Sequence, residues 1–459
     1  MVETLEYEGI WWLPQKETQQ FRGKLTVSQG KSGRLTLITF ELHSLELPEN
    51  KTDLIVGHST DGKKVTLYKC YLTNHSTKLI NNGASVEEFE FISLFAFVGI
   101  HFTSVGDINF KNLSVRYTNI DNWANISGFR TRLPKKFTPN TSIAIRYRLP
   151  KRVKLTSVTD FEIVVSFSYS NFNLTPTTHA EIAQKSWINF LPKTSRKMEE
   201  YLEIIRTMQN FLSLIMTKPT FPIEIQGQNE SEQEKFGEKI TYPPIQIYVN
   251  QPFIDSDSTN IQDYSMLFTL RDIMKNKRIV KHWFERDEIL KPTADLYFST
   301  LYQPRMYLNN EFLNLAQALE TYHRRTMKNF ELPNSKHQSR IRAILRKTPE
   351  KYRGWLERKL TYSNEPSLRK RLKDICDKCP SGVLSKTGNV DAFIDLTVNT
   401  RNYWTHFDER IKAKAATDVR LVYLVSNLRL LLITCFLKEM GVTNDEIDMI
   451  IAKPFVSLD

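Results

Sequence analysis

The spacing of apolar side chains changes once along this chain, and that change most limits the folds available to it. Up to about residue 190, apolar and polar residues tend to alternate, and Val65, Leu67 and Tyr71 share one face of such a segment. A period of two is typical of half-buried β-strands. From about Ile261 onward the period is 3.6, which is typical of amphipathic helices. The sequence therefore predicts an α+β protein in which the strands come first.

The N-terminal part, residues 1–251, is predicted to be an antiparallel β-sandwich-like domain. Many short strands are separated by clusters of Gly, Ser and Asp, a spacing that favours sandwiches and jelly rolls. One helix is expected inside this domain near residues 195–216. Trp11 and Trp12 are large for a solvent-facing surface, so we expect them in the sandwich core or between domains.

The C-terminal part is predicted to be helical, with a connector at 252–300 and a bundle at 301–459. The segment 419–437 is apolar nearly all round, which indicates a central buried helix. Thr443 and Glu446 have the spacing of a capping box, so a last short helix is expected to begin there.

The net charge of +12 is concentrated in one segment of the helical part. The whole chain has 63 basic and 51 acidic residues, and residues 323–373 alone contain sixteen basic and four acidic ones. A basic face attracts phosphates and releases their counterions on binding. We therefore expect a polyanion such as RNA as a partner, although a solvated basic face without a partner has the same composition.

Cysteine content and the chain start favour a reduced, cytoplasmic protein. Four cysteines are no disulfide framework, the first residues have no secretory signal, and no membrane association is expected. Cys376 and Cys379 form a single Cys-x-x-Cys without a second pair, so no metal site is predicted. Glycine-rich phosphate loops and zinc-protease motifs are absent from the sequence, and no cofactor is expected.

One short segment has residues suited to cleaving RNA without a metal. Arg401 offers a permanent charge and a rigid fork of donors for phosphate. His406 can accept or donate a proton near neutral pH. Asn402 lies four residues before His406, one helical turn away, and can hold the imidazole ring. Tyr403 and Trp404 can stack on a base or pack at a helix core or a dimer interface.

The spacing of Arg401 and His406 raises a geometric problem. Five residues on a regular helix separate two side chains by about 140°. The two groups converge if the site forms between two copies of the chain, or if the helix frays before His406. In the simpler alternative, Arg401 caps the helix end and His406 is a polar residue at its edge.

Further candidates lie on an earlier helix and in the basic segment. Glu320 and His323 are one turn apart and are candidates to support the site, although a purely structural pair is the alternative. Five basic residues are candidate RNA contacts: Arg324, Arg325, Arg340, Arg346 and Lys347. Tyr352, Trp355 and Tyr362 are interleaved with such cations. We expect Trp355 itself to pack in the core.

Several of these segments resemble one family. A helical bundle with Arg401, Asn402 and His406 near the end of a helix resembles the HEPN superfamily. The segment 315–325, Leu-Ala-Gln-Ala-Leu-Glu-Thr-Tyr-His-Arg-Arg, is similar to an early helix of ApeA-type HEPN proteins. Gly9–Pro14 and Val65–Cys70 are similar to the β-rich domain that precedes HEPN in that group.

The resemblance implies a metal-independent endoribonuclease with its site at a HEPN–HEPN dimer, acting in anti-phage defence by abortive infection. It places the catalytic residues at Arg401, His406 and Asn402. Expected partners are RNA, a second copy or a higher homo-oligomer, and a phage protein or other trigger at the N-terminal domain. Two alternatives remain: a binding protein that does not cut nucleic acid, and a β-domain receptor for which the bundle is a scaffold.

Overall fold

The computed structural model describes residues 3–39, 50–79, 85–132, 144–170, 178, 181–251, 261–303 and 305–453. The chain divides into two compact units, 1–277 and 278–459. The predicted connector, 252–300, is shared between them, because α3 (Leu270–Lys275) packs against α1 (Ile120–Ala124) of the first unit, whereas α5 (Asp287–Tyr302) packs against α6 (Leu308–Thr326) of the second.

The N-terminal unit is built mainly from antiparallel strands. Its strands are β1 (Thr4–Trp12), β2 (Phe21–Ser28), β3 (Gly33–Thr39), β4 (Lys51–Ser59), β5 (Lys64–Leu79), β6 (Ser85–Val98), β7 (Asn109–Phe110), β8 (Asn112–Tyr117), β9 (Phe129–Arg132), β10 (Ala144–Tyr147), β11 (Val153–Val158), β12 (Phe161–Ser170), β13 (Ala183–Pro192), β14 (Arg196–Lys197), β15 (Pro222–Gln228), β16 (Glu234–Phe236), β17 (Lys239–Thr241) and β18 (Ile245–Val249). Among the described residues, twelve of them form one sheet in the order β11-β12-β13-β8-β15-β18-β6-β3-β2-β1-β4-β5.

One end of this sheet closes into a barrel. β6 pairs with β3 along one edge and with β5 along the other, while β4 pairs with both β5 and β1. The six strands therefore form a closed ring without a free edge. Trp11 lies fully buried inside the ring. A Cβ atom on Gly57 would clash with Cε3 of Trp11, so the indole needs a glycine on the adjacent strand.

The predicted antiparallel β domain and the α+β class are confirmed, and the predicted buried position of Trp11 is found. At one end the sheet closes into a barrel, whereas a sandwich was expected. Apolar and polar residues alternate along the strands of both architectures, so the alternation does not distinguish a sandwich from a barrel. The predicted helix near 195–216 is α2 (Met198–Met216). It lies on the open half of the sheet, where the Tyr117 hydroxyl of β8 donates to the Ile205 carbonyl at 3.0 Å.

The C-terminal unit is helical throughout its described part. Its helices are α4 (Arg278–Glu285), α5, α6, α7 (Asn334–Lys347), α8 (Glu350–Leu360), α9 (Leu368–Cys376), α10 (Ser381–Thr387), α11 (Val390–His406), α12 (Glu409–Lys412), α13 (Asp418–Glu439) and α14 (Asn444–Ile451). The predicted capping box is present, since the Thr443 N–H donates to Glu446 Oε2 at 2.8 Å.

Helix α13 is the central helix of this unit. From Leu428 onward most of its side chains are buried, as predicted, although its first turns expose Val419 and Tyr423. It is the one described helix long and apolar enough to cross a membrane. In its most apolar window, however, 67% of the residues are buried inside the protein. That burial is consistent with the core helix of a soluble protein.

Candidate active site

Helix α11 carries the predicted catalytic segment and stays regular to its end. It begins where the Asn389 side chain accepts a hydrogen bond from the Ala392 N–H at 2.9 Å. It ends at His406, because Phe407 takes a left-handed conformation with φ 50°. The helix therefore does not fray before His406. Within one chain Arg401 and His406 point about 140° apart, so fraying of the helix end does not bring them together.

Arg401 lines a cavity of about 530 Å³ in the helical unit. Three helices form its walls: α6, the start of α9 and the end of α11. The lining residues are Leu313, Ala316, Gln317, Glu320, Thr321, Arg324, Leu368, Arg401 and Thr405. Two residues predicted from separate helices, Glu320 and Arg401, thus face one cavity, together with the candidate RNA contact Arg324.

The charges around this cavity leave Arg401 available for an anion. Arg324 pairs with Glu365 at 2.8 Å and lies 3.8 Å from Glu320. The Arg401 guanidinium, by contrast, forms no ion pair or hydrogen bond with any other residue in the described part of the chain. A guanidinium in this position can bind a phosphate through two parallel hydrogen bonds.

His406 lies outside the cavity, exposed at the end of α11. Its nearest acidic neighbour along the chain is Asp408. Hydrogen bonds from Arg410 lower the pKa of Asp408 to about 2, so this carboxylate is charged at neutral pH. His406 is therefore accessible to a ligand or to another protein surface, and the neighbouring Asp408 carboxylate is held by Arg410.

The three residues that follow Arg401, namely Asn402, Tyr403 and Trp404, are buried or half-buried on α11. Asn402 is half-buried and makes no hydrogen bond to His406 in the described structure. Tyr403 is buried, and its ring meets that of Trp404 edge-on, with the centroids 5.1 Å apart. The packing alternative therefore accounts for Tyr403. Trp404 is half-buried, and its Nε1 has no hydrogen-bond partner among the described residues.

His323 is buried beneath the cavity wall instead of facing it. Its Nε2 lies 3.1 Å from Asp374 Oδ2, and its Nδ1 lies 3.1 Å from Nη1 of Arg371. Because arginine only donates, Nδ1 accepts and Nε2 donates, which defines a neutral imidazole. Burial lowers the pKa of His323, in agreement with that form. His323 therefore has a structural environment, but its partners are Asp374 and Arg371 and not Glu320, with which the sequence suggested a pair.

Lowering the pH through about 6.5 is expected to destabilise the helical unit through His323. Its folded-state pKa lies below the ordinary value, so the unfolded chain takes up the proton first. The stability contributed by neutral His323 is complete above pH 6.5 and is lost as the pH falls toward the folded-state pKa. Melting temperatures of the wild type and His323→Gln, measured across this window, should converge at low pH. Parallel curves would assign the pH dependence to another group.

The five candidate RNA contacts differ in their surroundings. Arg325 donates to the carbonyl oxygens of Ile289 and Glu288 at 2.6 and 3.0 Å, so it joins α6 to α5. Arg340, Arg346 and Lys347 are exposed on α7.

Several cavity residues were not identified from the sequence. Thr405 follows Arg401 by one turn, and Gln317 precedes Arg324 by two, so both share the cavity-facing side of a helix that was already recognised. Leu368 gives no such signal, because its position depends on how α9 packs.

Cys376 and Cys379 are unpaired thiols, and burial raises their pKa values to about 11 and about 12.

Two family models match the chain. A model described as ApeA N-terminal domain 1 matches residues 6–283, and a model described as Apea-like HEPN matches residues 313–446. No curated protein and no solved structure matches it. A HEPN domain of this kind indicates an RNase-type effector of anti-phage defence. Because the first model spans more than half of the sequence and the second covers the cavity-forming helices, the chain belongs to the ApeA family of HEPN proteins.

Proposed function

We propose that this protein is a metal-independent endoribonuclease whose active site is completed by a second copy of the chain. The observation that carries the proposal is the Arg401 guanidinium, which lines a cavity of about 530 Å³ and has no ion-pair partner in the described part of the chain. His406, exposed at the end of the same helix, supplies the group for proton transfer.

The proposed reaction exchanges one bond at phosphorus and moves two protons. A ribose 2′-hydroxyl gives its proton to one His406 imidazole, and its oxygen bonds to the adjacent phosphorus. The bond from phosphorus to the 5′ oxygen breaks, and a second His406, protonated, gives that oxygen a proton. Arg401 stabilises the extra negative charge that develops on the phosphate oxygens. The products end in a 2′,3′-cyclic phosphate and a 5′-hydroxyl.

Two copies of the chain supply what one copy lacks. A single imidazole cannot easily act as both base and acid, and His406 points away from Arg401 on a regular helix. A symmetric dimer presents the same surface twice, so two copies of His406 can face one phosphodiester. Glu320, which lines the same cavity, is proposed to orient the Arg401 guanidinium in that assembly.

RNA is the proposed substrate, a homodimer or higher homo-oligomer the active form, and the cytoplasm the location. The N-terminal β domain is proposed to receive the trigger, a phage protein or another signal.

A chelator is expected to leave RNA cleavage unchanged. The proposed steps use only side chains of the protein, so incubating the purified full-length protein with total RNA should give the same products with and without EDTA. The fragment ends identify the mechanism: cyclic phosphates block ligation at the 3′ end until they are removed. Loss of activity in EDTA that a divalent metal restores would contradict this mechanism.

The second candidate is a binding protein that does not cut RNA. The exposed basic helices α7 and α8 favour it, since they can hold RNA whether or not Arg401 and His406 ever converge. RNA that is retained by the protein but remains intact would support this alternative.

A further inference from the structure

Helices α7 and α8 form a hairpin that contributes almost nothing to the core. His337 is the one buried residue of α7, and α8 has none among the described residues. The base of the hairpin is closed by Asn364. Its Oδ1 accepts from the Leu332 N–H at 2.9 Å, and its Nδ2 donates to the Leu332 carbonyl at 3.0 Å. The hairpin is therefore held at its base by Asn364, and nearly all of its side chains beyond that point are at least partly exposed to solvent.

One face of α8 combines exposed aromatic rings with cations. Trp355 is 56% exposed and Tyr352 is 50% exposed. Lys351 and Lys359 lie one turn before and one turn after Trp355, and Arg358 lies three residues after it. Tyr352 and these three cations all fall within about 60° of Trp355 around the helix. We call the set the α8 face: Lys351, Tyr352, Trp355, Arg358 and Lys359.

Acidic side chains are kept away from this face. Glu350 and Glu357 lie about 140–160° from Trp355 around α8. On the α8 face itself, Lys351 Nζ lies 4.8 Å from the centroid of the Tyr352 ring. The segregation leaves an unbroken patch of rings and positive charge.

The exposure of Trp355 contradicts the expected core position. The residues of α8 that turn inward are instead Leu356 and Leu360, both half-buried. A tryptophan framed by cations suits a partner with flat apolar faces and negative charge together. Nucleic acid bases on a phosphate backbone have both properties.

We propose that the α8 face binds single-stranded RNA by stacking unpaired bases on Trp355 and Tyr352 while the cations contact the flanking phosphates. The proposal rests on RNA being the substrate of the proposed function and adds which RNA is held and where. Bases within a duplex have their faces covered by neighbours, whereas unpaired bases can stack on aromatic side chains. Stacking tolerates any base, so this face selects for strandedness and not for sequence.

The test measures binding without cleavage. Full-length protein carrying His406→Ala is titrated with a fluorescent RNA oligonucleotide, either single-stranded or annealed to its complement. Adding Trp355→Ala should weaken single-strand binding about 5- to 150-fold, the range for one lost stacking contact. Duplex binding should change little, and Trp355→Phe should recover most of the affinity. Tyr169→Ala removes an equally exposed aromatic ring from the N-terminal unit and should have no effect.

Salt dependence separates stacking from charge. Replacing Lys351 and Lys359 with glutamine should reduce the slope of log affinity against log salt by about 0.7 for each lysine that contacts a phosphate. Trp355→Ala should leave that slope unchanged. Equal loss of single-strand and duplex binding in Trp355→Ala, or no loss in either, would overturn the proposal. A change in oligomeric state without a change in RNA affinity would overturn it in favour of a protein contact.

These outcomes are independent of catalysis. If the wild type fails to cleave RNA but Trp355 still determines single-strand affinity, the nuclease proposal fails and the α8 face stands. If the wild type cleaves RNA and Trp355→Ala binds like its parent, the α8 face fails and the nuclease stands. Trp355 is exposed, so we expect its replacement to leave the fold intact. Circular dichroism of each variant checks that a loss of affinity is not caused by unfolding.

Discussion

Replacing Arg401 with alanine is expected to lower the rate of RNA cleavage about 10²–10³-fold, the range for losing one charge-stabilising donor. His406→Ala should cost about 10²–10⁴-fold, because it removes the proposed proton-transfer group. Arg401→Lys keeps the charge without the planar fork, so it should recover only part of the activity. Cleavage is measured as the initial rate on a labelled RNA.

The fold should survive these changes. Arg401 and His406 make no ion pair in the described structure, and substitutions of this kind usually alter the free energy of unfolding by less than about 0.5 kcal/mol. Arg34→Ala on β3, an exposed arginine far along the chain from α11, is the matched control and should cleave like the wild type. Full activity in both Arg401→Ala and His406→Ala would contradict the proposed site.

A mixed dimer tests whether the site needs two copies. One wild-type chain and one His406→Ala chain, carrying different affinity tags, can be purified together as a heterodimer. If the two imidazoles act as base and acid on one phosphodiester, the heterodimer should be nearly as inactive as the dimer in which both chains carry His406→Ala. Half of the wild-type activity would show instead that each chain carries an independent site.

Arg371→Ala is expected to destabilise the helical unit by about 3–5 kcal/mol, the cost of breaking a buried charged network. Arg371 is only 1% exposed, donates to His323 Nδ1, and pairs with Glu365 at 3.3 Å. Its loss leaves a cavity and removes the donor that His323 faces. Urea unfolding of the full chain, followed by the α-helical signal in circular dichroism, measures the change in the helical transition.

Two further variants separate charge from volume. Arg371→Met fills the space without the charge, so it should be less destabilising than alanine. Arg369→Ala, two residues earlier on α9, removes an exposed arginine paired with Asp395 and should cost less than about 1 kcal/mol. If Arg371→Ala were as mild as Arg369→Ala, the buried network would not stabilise this unit.

The local features of this protein could be predicted from the sequence because each depends on residues close together in the chain. Alternating apolar residues predicted the strands, and the capping box predicted the start of α14 at its observed place. The regular spacing on α11 correctly set Arg401 and His406 about 140° apart. Glu320 is a candidate from its spacing of one turn to His323, but the cavity that it shares with Arg401 depends on how α6 and α11 pack.

Contacts between distant segments depended on the tertiary structure. The sheet closes because β5 and β6 pair along one edge while β1 and β4 pair along another, and no periodicity within a strand encodes those partners. His323 and Glu320 are three residues apart on α6, yet α9 covers the first and a cavity borders the second. Tryptophan is a residue type common in protein cores, but among the described residues Trp355 is left 56% exposed. Spacing fixes the direction of a side chain around its own element, whereas long-range packing decides what lies in that direction.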